Sequence, residues 1–130
     1  MRFLMWAGTL CGIVGLSACS SQPTISDPSQ VVFPDSGVSY RATVQPFMTV
    51  TCAFSQCHGE VSPAGGIRLN DYTGILFSRG NLAVPGKPDE SLIIQVLDKR
   101  VAHGVGLLDR VNANHYAGMR RWISEGALNN

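Results

Sequence analysis

Apolar residues recur in four short runs at helical spacing, and segments rich in Gly, Pro and Ser separate the runs. Tyr40, Val44, Phe47 and Met48 fall at i, i+4, i+7 and i+8, which predicts a helix over about 40–51. Pro46 interrupts that stretch and fits best in the first turn of a short helix running into Cys52. A second short helix is expected from Tyr72 to Ser78, with Asn70 or Asp71 as cap and Gly80 as stop. After the loop Val84-Pro85-Gly86-Lys87-Pro88, Asp89 is placed to cap a helix carrying Leu92, Ile93, Val96 and Leu97. The last run is the clearest. Asn112 is its cap, Tyr116, Met119, Trp122 and Ile123 line one face, and Gly126 ends it. No alternating segment is long enough to demand a sheet, so the expected fold is all-α, with about four short helices.

Two stretches lie outside this pattern. Residues 1–18 combine Arg2, an almost wholly apolar run from Phe3 to Leu16, and small residues ending at Ala18, the mark of an export signal. The run is short for a membrane span. Leu16-Ser17-Ala18-Cys19 resembles a bacterial lipoprotein signal, which implies cleavage before Cys19 and acylation of that residue. An ordinary secretory signal followed by a chance cysteine is the alternative. Ser20 after Cys19, rather than an acidic residue, resembles outer-membrane sorting. Residues 19–37 are rich in Ser, Pro and Gln without helical periodicity, and are expected to form a flexible tether. One domain is then expected over residues 38–130.

Charge narrows the partners. The chain has 10 Lys+Arg against 9 Asp+Glu, and loss of Arg2 with the signal leaves it formally neutral. No basic stripe is available to follow phosphates, which argues against a nucleic-acid partner. Serines are plentiful, but none stands in a nucleophile elbow and no phosphate-binding glycine loop is present, so an enzyme is not expected.

The chemistry gathers at Cys52-Ala53-Phe54-Ser55-Gln56-Cys57-His58. Two neighbouring thiols with a histidine directly after the second are the groups a c-type haem requires. The thiols become thioethers to the porphyrin and the imidazole ligates iron. The usual spacing is C-x-x-C-H, and here four residues intervene. With Cys11 in the signal and Cys19 lipidated, this pair uses every remaining thiol. An exported pair without haem would instead close a short disulfide. Four short helices bury little alone, and a planar cofactor would supply missing apolar contact.

Together these residues resemble the small cytochrome c domains of planctomycete-type and other bacterial exported proteins. The likeness runs from about Tyr40 to Leu128. It rests on Pro46-Phe47, on Cys52 through Gly59, and on Pro63-Ala64-Gly65-Gly66-Ile67-Arg68-Leu69. Val84 through Ser91 and Arg121 through Ala127 carry the rest. The C-x4-C-H spacing is similar to a variant found in these domains. The resemblance implies one covalent haem c held by Cys52, Cys57 and His58, single-electron transfer to redox partner proteins, and a periplasmic, membrane-anchored setting through Cys19. The family usually presents a methionine before the last helix as sixth iron ligand. This chain has Val101-Ala102-His103-Gly104-Val105-Gly106-Leu107-Leu108 there, which makes His103 the candidate. Met119 and Met48 read better as core, and His115 as solvated near a helix start. Arg68, Lys99 and Arg100 are candidate partners for the haem propionates. Two other readings stay open: a haem-free, disulfide-stapled binding lipoprotein, and a haem protein whose open sixth site takes a small gas or peroxide.

Overall fold

The computed structural model describes residues 24–104 and 106–130, and among them every regular element is helical. The expected signal over 1–18 and the lipidation site Cys19 lie outside the described residues. Four α-helices follow in chain order: α1 (Gln45–Thr51), α2 (Tyr72–Phe77), α3 (Leu92–Leu97) and α4 (Ala113–Ser124). Short 3-10 turns at Pro28–Gln30, Ala64–Gly66, Pro88–Glu90 and Gly106–Arg110 fill the connections.

The helix expected over 40–51 is present in two parts. Tyr40–Val44 forms a wide π turn that leads into α1, and Gln45 N–H reaches back five residues to the Tyr40 carbonyl. Pro46, in the first turn of α1, has no N–H to give, and the wider turn absorbs the lost bond. Asp71 caps α2 through the Gly74 N–H at 2.7 Å, as its position predicted. Asp89 does not cap α3. The cap position belongs to Ser91, whose hydroxyl is turned into the preceding loop. There it accepts from Val84 N–H at 2.8 Å and donates to the Lys87 carbonyl at 2.9 Å. Asp89 instead meets Arg120 of α4 at 2.7 Å. That guanidinium holds the Asp89 carboxyl below its usual range.

α4 is the spine of the core. Met119, Trp122 and Ile123 are wholly buried on the face that periodicity predicted, against Val44, Phe47, Met48 and Ile94. Trp122 Nε1–H donates to the Leu128 carbonyl at 3.0 Å, so the indole carries its polar atom into a bond as it is buried. Tyr72 likewise donates to the Ala127 carbonyl at 2.8 Å.

The tether expected to reach residue 37 does not extend that far. From Ile25 onward this segment is packed on the domain, with Val31 and Phe33 each under 5% exposed. Phe33 packs edge-on against Phe47, with ring centroids 5.4 Å apart. Asn114 of α4 grips the Phe33 backbone twice, accepting from its N–H at 2.8 Å and donating to its carbonyl at 2.9 Å. Farther along, the Glu125 carboxylate accepts from the N–H groups of Gly37 and Val38, each at 2.9 Å. At the start of the segment Asp27 pairs with Arg110. Hydrogen bonds from Ser29 and Arg110 hold the Asp27 carboxyl down at about 2.

His115, expected to be solvated, is completely buried in this same region. Its Nδ1 accepts from Asn112 N–H at 3.2 Å, closing a reciprocal cap with the Asn112 side chain. The opposite nitrogen, Nε2, must then carry the proton, which it gives to the Val31 carbonyl at 3.1 Å. Both nitrogens are spent on structure. His115→Leu keeps the apolar volume and orphans one donor and one acceptor. The expected cost is roughly 2–4 kcal/mol, read as a lower urea midpoint at unchanged slope.

Candidate functional site

Between α3, the end of α1 and the 101–111 segment lies a cavity of about 540 Å³. Its wall is mainly apolar, with Leu69, Leu82, Leu92, Ile93, Val96 and Leu97 forming most of one side and Leu108 and Val111 adding to it. A largely apolar space of that volume suits a medium-sized organic ligand with a few fixed polar contacts.

Those polar contacts come first from the end of α1. The helix stops at Thr51, Cys52 is its C-terminal cap, and the chain then doubles back on itself. Cys57 N–H and Gly59 N–H both donate to the Phe54 carbonyl at 2.9 Å, and His58 N–H donates to the Cys52 carbonyl at 3.1 Å. Six residues from Cys52 to Cys57 thereby close into a compact loop with both thiols on the cavity wall. Gly59 makes the loop possible. A Cβ there would lie 2.8 Å from the Phe54 carbonyl oxygen and 2.9 Å from that of Ala53, closer than real side chains approach. Sequence reading had this residue only as the end of a motif; the close approach is visible only in three dimensions.

Cys52 and Cys57 are both free thiols and half-buried. Burial pushes the Cys52 thiol above its ordinary pKa, against an opposing hydrogen bond from Thr51.

His58 is the most firmly placed group in the site. Its backbone carbonyl accepts from Leu69 N–H at 2.8 Å. Its Nδ1 lies 3.1 Å from the Ile67 carbonyl, which can only accept, so Nδ1 carries the proton. Nε2 is left with a free lone pair on a ring fixed in orientation, the arrangement of a metal-ligating imidazole backed by a carbonyl. His103 lines the same cavity from the other segment, its ring centroid 5.9 Å from that of His58. His103 is exposed where His58 is half-buried.

The structure brings Cys52, Cys57, His58 and His103, the residues named from the sequence, to one cavity. It does not bring the other candidates there. Met119 and Met48 are fully buried core residues and do not line the cavity. Trp122 and Tyr116 also lie off its wall, and so do Arg68, Lys99 and Arg100. Lys99 is paired with Asp109 and Arg100 with Asp98. The arginine on the wall is Arg79, which no local pattern singled out.

A haem fits this donor set. Two thiols stand beside an imidazole with a free lone pair, a second imidazole is within reach of the same ion, and the space between is apolar. The family model for Planctomycete cytochrome C matches residues 55–105. The match opens inside the cysteine loop and takes in Cys57, His58, Arg79 and His103, with Cys52 just ahead of it. No curated protein and no solved structure was found to match the chain. Motif, cavity and family match converge on the same residues: over residues 55–105 this all-α chain is similar to the planctomycete-type cytochrome c domains, a likeness that supports haem binding and electron transfer.

Proposed function

We propose that the protein is a lipid-anchored, mono-haem c-type cytochrome that passes single electrons on the periplasmic side of a bacterial envelope. The haem supplies the one-electron ferric–ferrous couple. Cys52 and Cys57 would hold it as thioethers, and His58, through Nε2, and His103 would be the imidazoles offered to its iron. The apolar wall excludes water, and redox partner proteins exchange electrons with the group so held. Cys19 carries the acyl chains that anchor the protein to the membrane, where each buried methylene is worth about 0.8 kcal/mol.

The observation that carries this reading is the fixed tautomer of His58, with Nδ1–H on the Ile67 carbonyl and Nε2 left free on a wall shared with two thiols and His103. Intact-mass spectrometry on protein matured with a cytochrome assembly system tests it. A chain beginning at acylated Cys19 and heavier by one haem, retained after acid–acetone extraction, is the expected result. A mass two hydrogens below the reduced chain, with no haem, overturns it in favour of the disulfide-stapled lipoprotein. A haem adduct with a high-spin ferric spectrum places the protein among those with an open sixth site instead.

A further inference from the structure

Arg79, an exposed residue, puts a formal positive charge on a mainly apolar wall. Arg79 reaches the cavity from the turn after α2, where its carbonyl accepts from Leu82 N–H at 2.9 Å. Beyond the two thiols and two imidazoles, the polar side chains on the wall are those of Thr51 and Gln56, and among the described residues no carboxylate lines it. Five of the domain's other cations are neutralised. Lys87, Lys99, Arg100, Arg110 and Arg120 each sit in an ion pair with Asp or Glu. Among the described residues Arg41, Arg68, Arg79 and Arg121 have no such partner, and of these only Arg79 lines the cavity.

We propose that Arg79 binds a carboxylate of the cavity's ligand and, resting on the haem reading above, that this carboxylate is a propionate of the porphyrin. An apolar wall cannot solvate an ionised carboxylate, so a ligand bearing one must find a donor or stay partly outside. A guanidinium offers two parallel N–H groups to the two oxygens. The porphyrin carbons that form thioethers lie on the edge opposite its propionates. The loop of Cys52 and Cys57 and the turn of Arg79 are separate segments lining one cavity, so the thioethers and a propionate need not share a holder. Arg79 is thereby a positioning residue that also sets the charge felt by the iron.

The consequence is electrostatic and can be measured. Without the guanidinium, an ionised propionate stabilises ferric over ferrous iron, and the potential falls. As pH falls and the propionate takes a proton, that effect is lost and the potential rises. The other titratable groups facing this space are Cys52 and Cys57, consumed as thioethers, and His58 and His103, held on the metal. Haem carries two propionates, so the potential reads both, and the difference between native protein and Arg79→Gln reads the one that Arg79 holds.

The experiment is a redox titration across the weakly acid to neutral range on haem-loaded native protein, Arg79→Gln, Arg79→Lys and Arg121→Gln. Arg79→Gln is expected to lower the ratio of reduced to oxidised protein at a fixed ambient potential by about three- to tenfold, tenfold corresponding to about 59 mV for one electron. It should also gain a pH dependence beyond that of native protein. Arg79→Lys should recover most of the shift, and Arg121→Gln, with the same loss of charge off the cavity, should behave as native. A native potential and pH profile in Arg79→Gln, or an equal shift in Arg121→Gln, overturns the proposal while the haem adduct leaves the proposed function standing. Should Arg79→Gln not accumulate, native protein decides. A potential that climbs with acidity through one propionate or none supports the pairing, and one that climbs through two overturns it.

Discussion

His58→Ala is expected to lower the yield of haem-loaded protein about tenfold or more, while His103→Ala accumulates close to native levels. The two imidazoles face the same cavity but are supported very differently. His58 is fixed by its N–H to the Cys52 carbonyl, by its carbonyl to Leu69 N–H, and by Nδ1–H to the Ile67 carbonyl. A ligand held in that way loses little freedom on binding, and loss of such support typically costs 10–100-fold in metal affinity. His103 is exposed, on a loop beside Gly104. Its loss should leave a high-spin iron that added imidazole or cyanide converts back to low spin. The pyridine-haemochrome yield and the ferric spectrum of both variants check this. Equal loading of the two, or a native low-spin spectrum in His103→Ala, would remove the assigned roles.

The second large effect is structural. Gly118→Ala is expected to destabilise the domain by about 2–4 kcal/mol, although alanine is the better helix former by about 1 kcal/mol. The new Cβ would lie 2.1 Å from Phe33 Cγ and 2.2 Å from its Cβ. These atoms are near the backbone that Asn114 grips, so the ring cannot simply swing aside. Overpacking of this kind costs about 1–3 kcal/mol and sometimes more. Expelling the ring forfeits the roughly 1.5–3 kcal/mol gained by burying a large apolar side chain. Thermal melts should fall, and proteolysis should open the chain between residues 25 and 38 first. The cycle with Phe33→Ala isolates the cause, because once the ring is gone the added methyl should cost little further. An alanine variant as stable as native would refute the close packing.

What the sequence disclosed and what it hid divide along local and non-local lines. α4 was legible because its cap, apolar face and terminal Gly126 all lie within one helix's length. Asp71 was legible as a cap for the same reason. Cys52, Cys57 and His58 were legible because covalent chemistry fixes their spacing. His103 needed a likeness of segment order, since only the fold brings residues 58 and 103 together. The segment before residue 38 was hidden by its Ser and Pro composition, because Val31 and Phe33 alternate over too few residues to stand out. They are buried by a short extended stretch, with Val32 between them exposed. His115 was misjudged because a histidine at the third position of a helix resembles any surface residue until Val31 closes over it. Asp89 looked like a cap because its distant partner, Arg120, could not be seen.

If Cys19 is the lipid anchor as proposed, the docked N-terminal segment also sets how far the domain can travel. Ile25, where packing on the core begins, is only six residues beyond Cys19. Six fully extended residues span at most about 22 Å, against about 68 Å for a chain free up to Val38. On that proposal the domain is kept on a short leash: a redox partner is expected in or close against the same membrane surface, and inserting Gly-Ser repeats before Thr24 is expected to widen the range of partners within reach.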